Sequence, residues 1–207
     1  MKNVKKIGGE WSSRDVTSKG IKITGDIISE YIQKTNEHFG GPVKTIVFSA
    51  GVNHAQHIAA KFQEIGLNFI AISYRDTDDY KEEVIKEFSK IDSTIDGLIA
   101  TDILTKGFDN VHIKCGISAR PFSKSLSSWV QQMGRLTRAS EGKDYSLLLD
   151  HSGNYLRFQE SWEEIKNNGV TRLDHRDLTH KCKTLKERKE LICPKCKVIW
   201  IANSESC

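Results

Sequence analysis

The chain has no apolar run approaching the roughly 20 residues that cross a bilayer, and no apolar stretch near its start of the kind a secretory leader carries. A membrane-spanning or exported protein is not expected; a soluble, cytoplasmic one is. Cysteine is scarce, five in 207 residues with three at the extreme C-terminus, which argues against a secreted disulfide framework. Nowhere is there a G-x-x-x-x-G-K-[ST] loop or a D-E-x-D/H box after an apolar strand. Those absences deny this chain, taken alone, the backbone cradle for phosphates and the acidic magnesium holder that P-loop hydrolases use. Charge of either sign is also in short excess. Lys and Arg total 31 against 27 Asp and Glu, a net +4, which permits a nucleic-acid partner without demanding one.

What is present is enough for one ordinary domain and a short appendage. Hydrophobic residues make up 38% of the chain and come in concentrated runs. Residues 1–20 are polar, with Trp11 the large apolar group in their centre, and read as a linker or arm. From Gly25, Ile27, Ile28, Tyr31 and Ile32 recur at helical spacing up to Gly40-Gly41-Pro42, where glycine stops a helix and proline blocks its continuation. Short apolar strands are predicted at Thr45–Phe48, Leu67–Ser73, Gly97–Thr101, His112–Ala119 and Tyr145–Asp150. Between them, helices are predicted from an Asn53 cap to Gly66, over Asp78–Ile91 and over Ser125–Leu136. Apolar strands alternating with amphipathic helices indicate parallel pairing through crossovers, an α/β open sheet with ligand residues at the carboxyl ends of its strands. His54, His57 and His112 show no metal spacing and read as surface or packing residues.

The most telling stretch is Gln131-Gln132-Met133-Gly134-Arg135-Leu136-Thr137-Arg138. At about 100° per residue, Gln131, Arg135 and Arg138 fall within roughly 60° of one another on a helix. Two guanidiniums and an amide projected together suit phosphate oxygens, because guanidinium donors meet them as a fixed fork. Arginine at a transferring phosphoryl group stabilises charge that develops in the transition state. A solvated basic helix face would show the same spacing.

This octet resembles motif VI of superfamily 2 helicases of the DEAD/DEAH type, and other motifs of that family stand in the expected order. Lys44-Thr45-Ile46-Val47-Phe48-Ser49 resembles motif IV; Ala100-Thr101-Asp102-Ile103-Leu104-Thr105-Lys106-Gly107-Phe108-Asp109 resembles motif V. The resemblance spans about residues 20–152, and the lead-in to motif VI and the Leu149–Asn154 stretch are most like phage and prophage helicases. It implies a RecA-like sheet with helices on both faces: the second lobe of a two-lobed motor, with ATP and Mg²⁺ held against a separate N-terminal lobe in cis or trans. Arg135, Arg138 and Gln131 would then be the catalytic set, with Gly107, Asp109, Arg135 and Arg138 facing ATP. Ser49, Thr101 and Lys106 would meet the nucleic-acid backbone; Arg120 and Lys124 rank with Lys106 as cations that could lie near phosphate, although most such residues are solvated. The Q-x-x-G-R-x-x-R form, rather than the H-R-x-G-R-x-x-R of DEAD-box RNA helicases, favours DNA over RNA. The implied action is translocation, closure of two lobes around nucleotide alternating the grip on a strand, with no useful ATP hydrolysis by this chain in isolation.

Beyond the lobe, assigned to residues 21–152, a basic segment (153–192), helical in part over His180–Ile192, leads to a short end (193–207). Cys193-Pro194-Lys195-Cys196 reads as half of a tetrahedral zinc site, since two thiolates close in sequence share a metal. Cys207 would open the second pair of a ribbon continuing past it. Alternatively Cys182 or His180 supplies the fourth ligand, or the cysteines are unliganded thiols. A second function class also fits: a non-catalytic module that binds nucleic acid or a partner protein through a motor-like fold, the missing phosphate loop being its main support.

Overall fold

The computed structural model describes residues 6–7, 10–101, 108, 110–169, 190–192 and 199–201. They belong to two units, 1–174 and 175–207. In the first, β1 (Lys6–Ile7) and β2 (Glu10–Trp11) form a small antiparallel hairpin ahead of α1 (Ser13–Phe39). Then follow β3 (Thr45–Phe48), α2 (Val52–Glu64), β4 (Phe69–Ile72), α3 (Asp78–Ser89), β5 (Gly97–Ala100), β6 (Cys115–Ser118), α4 (Leu126–Leu136), β7 (Leu147–Asp150) and α5 (Asn154–Asn168). The second unit has an antiparallel pair, β8 (Glu190–Ile192) and β9 (Ile199–Ile201).

Strands β3 to β7 make one all-parallel sheet in the order β4-β5-β3-β6-β7. Parallel strands need helical crossovers, so both faces are covered and the strands read as continuous apolar runs. The two-residue period then sorts each strand between two cores. Val47, Phe69, Ile99, Cys115, Ile117 and Leu149 point to one face, where Ile27 and Tyr31 of α1 and Ile58 and Phe62 of α2 meet them. Ile46, Phe48, Ile72, Leu98 and Ala100 point to the other, against Val84 and Phe88 of α3 and Leu136 of α4. A third cluster, Phe122, Leu126, Trp129, Met133 and Phe158, joins α4 to α5.

Local chemistry sets the ends. Gly40 closes α1 in the left-handed region at φ 77°, where a side chain is strained, and its amide donates to Asn36 O at 3.1 Å. Tyr31 is buried against Phe62 and Phe69, its hydroxyl donating to Val43 O at 3.1 Å and accepting from Val43 N at 3.2 Å; burial pushes the phenol up to about 12. In β5, Gly97 leaves room for the Phe69 ring, which a Cβ would meet at 2.2 Å.

The structure moves several boundaries. Helix α1 starts at Ser13, so residues 13–20, read as arm, are its first two turns, with Val16 buried. Asn53 lies inside α2, whose cap position is Gly51. Strand β6 begins at Cys115, because Val111 and His112 still form a turn. Helix α5 occupies part of the segment read as a basic connector, and its apolar side docks on α4 rather than standing in solvent. Most of the segment His180–Ile192 lies outside the described residues; its end, Glu190–Ile192, is strand and not helix.

His54 is a packing residue, as its lack of metal spacing suggested. It is fully buried, its Nδ1 accepts from Ala50 N at 3.3 Å, and Gly20 of α1 passes so close that a Cβ there would lie 2.5 Å from the ring. Burial, with His57 adding to it, lowers the imidazole from 6.5 to about 4. Between those values the unfolded chain binds a proton that the folded one refuses. Stability is therefore expected to fall as pH drops from 6.5 toward 4, by up to about 3 kcal/mol from this group. His54→Asn, which keeps an acceptor and does not titrate, should show a flatter profile in urea unfolding across that window; an unchanged slope would remove His54 as the cause.

Candidate nucleotide and nucleic-acid interface

Because every strand of the main sheet points the same way, their carboxyl ends share one edge, and each crossover helix returns the chain to the opposite, amino edge. The residues singled out in the sequence divide between these two edges.

At the amino edge stands the end of α4. Gln131 is exposed and Arg135 half-buried, four residues apart on one helix face. The helix closes at Leu136, with Thr137 as its cap, so Arg138 stands just past the end and not on the face extrapolated for it. Its place is set by other residues. Lys143 Nζ donates to Leu136 O at 2.9 Å and Arg138 O at 2.8 Å, and Ser146 Oγ donates to Leu136 O at 2.9 Å. Burial lowers the Lys143 ammonium, consistent with a cation spent on carbonyls rather than on solvent. Arg135 Nη1 donates to Phe108 O, tying α4 to the stretch that precedes β6. Asn110 fixes that stretch in turn, its Nδ2 donating to Phe88 O at 3.1 Å and its Oδ1 accepting from His112 N at 2.9 Å. Lys143 and Asn110 carry no motif, and only the fold reveals that they position the arginines. Lys106, Gly107 and Asp109 lie outside the described residues.

At the carboxyl edge, Thr101 follows β5, Ser49 follows β3, Ala119-Arg120 follow β6 and His151-Ser152 follow β7. Among these, Ser49 faces inward. The residue is fully buried, and its amide and hydroxyl both donate to Ala100 O, at 2.9 and 3.1 Å, so it bonds β3 to β5 instead of offering a donor to a strand. Thr101 is buried as well, with no partner for its hydroxyl among the described residues, while its carbonyl accepts from Arg120 Nη1 at 2.7 Å. Arg120, which the sequence ranked with Lys106 among cations that could lie near phosphate, thus crosses from β6 to the end of β5. Beside it, buried Asn154 donates to Arg120 O at 2.8 Å and accepts from Phe122 N at 2.8 Å, holding the loop that leads into α4. Two clefts open on this edge, of about 340 and 160 Å³; Lys19, His151 and Arg157 line the first, Glu10, Arg120 and Ser128 the second. His151 Nε2 lies 3.0 Å from Glu30 Oε2 but is not aligned for a hydrogen bond.

In the second unit, β8 and β9 flank Cys193-Pro194-Lys195-Cys196 in sequence. Cys182, Cys193, Cys196 and Cys207 lie outside the described residues, and among those described no cluster of His, Cys, Asp or Glu could hold a metal. The remaining cysteine, Cys115, is buried in β6 and its thiol is pushed up to about 12, which makes it an inert core residue. No described helix is long and apolar enough to cross a membrane.

An open parallel sheet of five strands with helices packed on its faces is a RecA-like fold. The sequence profile of the Helicase conserved C-terminal domain matches residues 26–140, more than half of the chain, and the protein belongs to that family. Over 205 residues it is 22% identical to the 51.5 kDa protein of Lactococcus phage (isolate 7-9), covering 96% of this chain and 41% of that one. Over 114 residues it is 32% identical to "Putative mitochondrial ATP-dependent helicase irc3" of Schizosaccharomyces pombe, covering 55% of this chain and 18% of that one. The chain thus spans less than half the length of either relative. Among solved structures, it resembles "The fragment structure of a putative HsdR subunit of a type I restriction enzyme from Vibrio vulnificus YJ016" (TM-score 0.58, 19% identity, 75% of this chain and 31% of that one). It also resembles domain 2 of the DEAD-box helicase Mss116p bound to an RNA duplex (TM-score 0.54, 19% identity, 73% and 57%). At such identities the likeness is one of fold, and it carries no preference for DNA over RNA.

Proposed function

We propose that this chain is the second motor lobe of an ATP-dependent helicase or translocase, working against a lobe that carries the phosphate loop and acidic box this sequence lacks. The observation that carries the reading is the amino-edge cluster, where Arg135 and Arg138 are held in place by Phe108 O and Lys143 in a chain of this family. ATP with Mg²⁺, bound against the other lobe, would supply the phosphoryl group. The part of this chain is to aim guanidinium donors at its phosphate oxygens, which organises the closed state and stabilises charge as the bond to the leaving group lengthens. Gln131, exposed one turn before Arg135, is placed to orient a polar partner at the same surface; Gly107 and Asp109 complete the set by sequence. Thr101, Lys106 and Arg120 are the backbone-phosphate contacts, which hold a strand without reading its bases. Arg120 takes the place first given to Ser49.

Two measurements on the purified chain test this. A single-stranded oligonucleotide should bind with an affinity that falls with salt, by a log–log slope of about −0.7 for each phosphate contact. ATP turnover should stay at background. Appreciable turnover by the chain alone, abolished by Arg138→Ala, would show a complete catalytic site in one lobe and overturn the two-lobe reading.

A further inference from the structure

The carboxyl edge is not bare. Glu10 of β2 reaches across to the loop between β6 and α4, where each carboxylate oxygen takes one of two consecutive amides: Ser123 N at 2.7 Å from Oε2 and Lys124 N at 2.8 Å from Oε1. A two-oxygen anion bound by adjacent backbone N–H groups is the arrangement a phosphate uses at a loop leading into a helix. Here the anion belongs to the chain itself and comes from more than a hundred residues away in sequence. Its neighbours suit the same ligand: Arg120, Ser125 and Ser128 line the adjoining 160 Å³ cleft, and Arg120 reaches on to Thr101 O. That links the loop to the end of β5, two strands and about 10 Å away along the edge.

The first turns of α1 follow Glu10 onto this edge. Thr17 Oγ1 donates to Ala50 O at 3.4 Å, beyond the end of β3, and Gly20 packs on His54. The seat is incomplete, however. The indole N–H of Trp11, in the same cleft, is buried without an acceptor among the described residues, an unmet donor that weakens the arm's hold.

We propose that residues 10–20 form an autoinhibitory strap, in which Glu10 occupies the Ser123 and Lys124 amides that a nucleic-acid backbone phosphate takes when the strap lifts. The proposal rests on the helicase-lobe reading and adds to it a phosphate site at the β6–α4 loop with a built-in competitor. The strap lowers the affinity of the resting lobe for a strand, and lifting it exchanges one carboxylate for one phosphate with no net loss of hydrogen bonds.

The test compares wild type, Glu10→Ala and Glu64→Ala, the last removing the same charge from an exposed position at the end of α2. Binding of a single-stranded probe of about 12 nucleotides should tighten roughly tenfold in Glu10→Ala and much less in Glu64→Ala. The salt slope should steepen by about 0.7, the value of one added phosphate contact. In parallel, inorganic phosphate titrated into Glu10→Ala should shift the Ser123 and Lys124 amide resonances saturably, and leave them unmoved in wild type. That second readout needs no nucleic acid and reports directly on a folded loop. If Glu10 merely braces the loop, its loss will lower the melting temperature, open no saturable phosphate site and leave oligonucleotide affinity equal or weaker; any of these binding results overturns the strap. Phosphate shifts with no gain in oligonucleotide affinity mean a site for free phosphate, and overturn it too. Failure of the helicase-lobe reading looks different: neither wild type nor Glu10→Ala binds the strand, although the amides still answer to phosphate, and the competitor named here is then wrong.

Discussion

Arg138→Ala, in an enzyme that joins this chain to a lobe bearing a phosphate loop, is expected to lower ATP turnover about 10³- to 10⁵-fold. Nucleic-acid affinity without nucleotide should stay within a few-fold of wild type. The two readouts separate because the two sets of residues sit on opposite edges of the sheet: Arg138 past the end of α4 at the amino edge, Thr101 and Arg120 at the carboxyl edge. Arg138→Lys should recover little, since an ammonium is a point charge without the planar fork that meets two phosphate oxygens. Lys143→Met provides a graded comparison. It removes the donor that holds Arg138 O and Leu136 O but leaves both arginines, so turnover should fall less than in Arg138→Ala. Steady-state ATPase assays with and without nucleic acid check all three. Wild-type turnover in Arg138→Ala would end the arginine-finger assignment.

The largest stability effect should come from Trp129→Ala. Trp129 is fully buried where α4 meets α5, in a cluster with Phe122, Leu126, Met133 and Phe158. Truncating an aromatic of that size costs about 3–5 kcal/mol through lost transfer energy and the cavity left behind. One term works in the other direction. The indole N–H is buried without a partner among the described residues, and removing an unmet donor returns about 1 kcal/mol or more. The lower half of the range is therefore expected, about 3 kcal/mol, or roughly a 10 °C fall in melting temperature for a domain of this size. Because α4 carries Arg135, nucleotide-dependent activity should be lost together with the packing. A shift under about 2 °C would mean that α5 does not stabilise α4. Trp129→Phe, which refills much of the volume without the orphaned N–H, should be close to neutral.

Both results bear on how the chain encodes its fold. The five strands and the helices α2, α3 and α4 were readable as alternating apolar and amphipathic segments, since burial on both faces of a parallel sheet leaves the same pattern in every βα unit. Helix α5 was missed because its polar residues outnumber its apolar ones; Phe158, Trp162 and Ile165 have meaning only once α4 offers a surface to receive them. The first two turns of α1 were missed for a related reason. Gly20 in that stretch looks like a helix breaker until His54 is found packed where its side chain would be.

The candidate site divides in the same way. Arg135 and Arg138 were marked by type and spacing, because phosphate recognition demands guanidinium and a helix repeats every 3.6 residues. The pattern could not tell that α4 ends between them. That end is decided by Lys143 and Ser146, which reach Leu136 O from a loop with no motif of its own. Ser49 stands at the expected strand end, and its hydroxyl turns inward to donate to Ala100 O. By itself, then, the sequence determined the class of fold and the family, and it marked candidate site residues by their chemical type. Tertiary structure alone decided which of them are spent on neighbours and which edge each faces. It alone placed Glu10 on the Ser123 and Lys124 amides, because local periodicity is set by the repeat of a single element, whereas a hydrogen bond across more than a hundred residues exists only after the sheet has brought its two ends together.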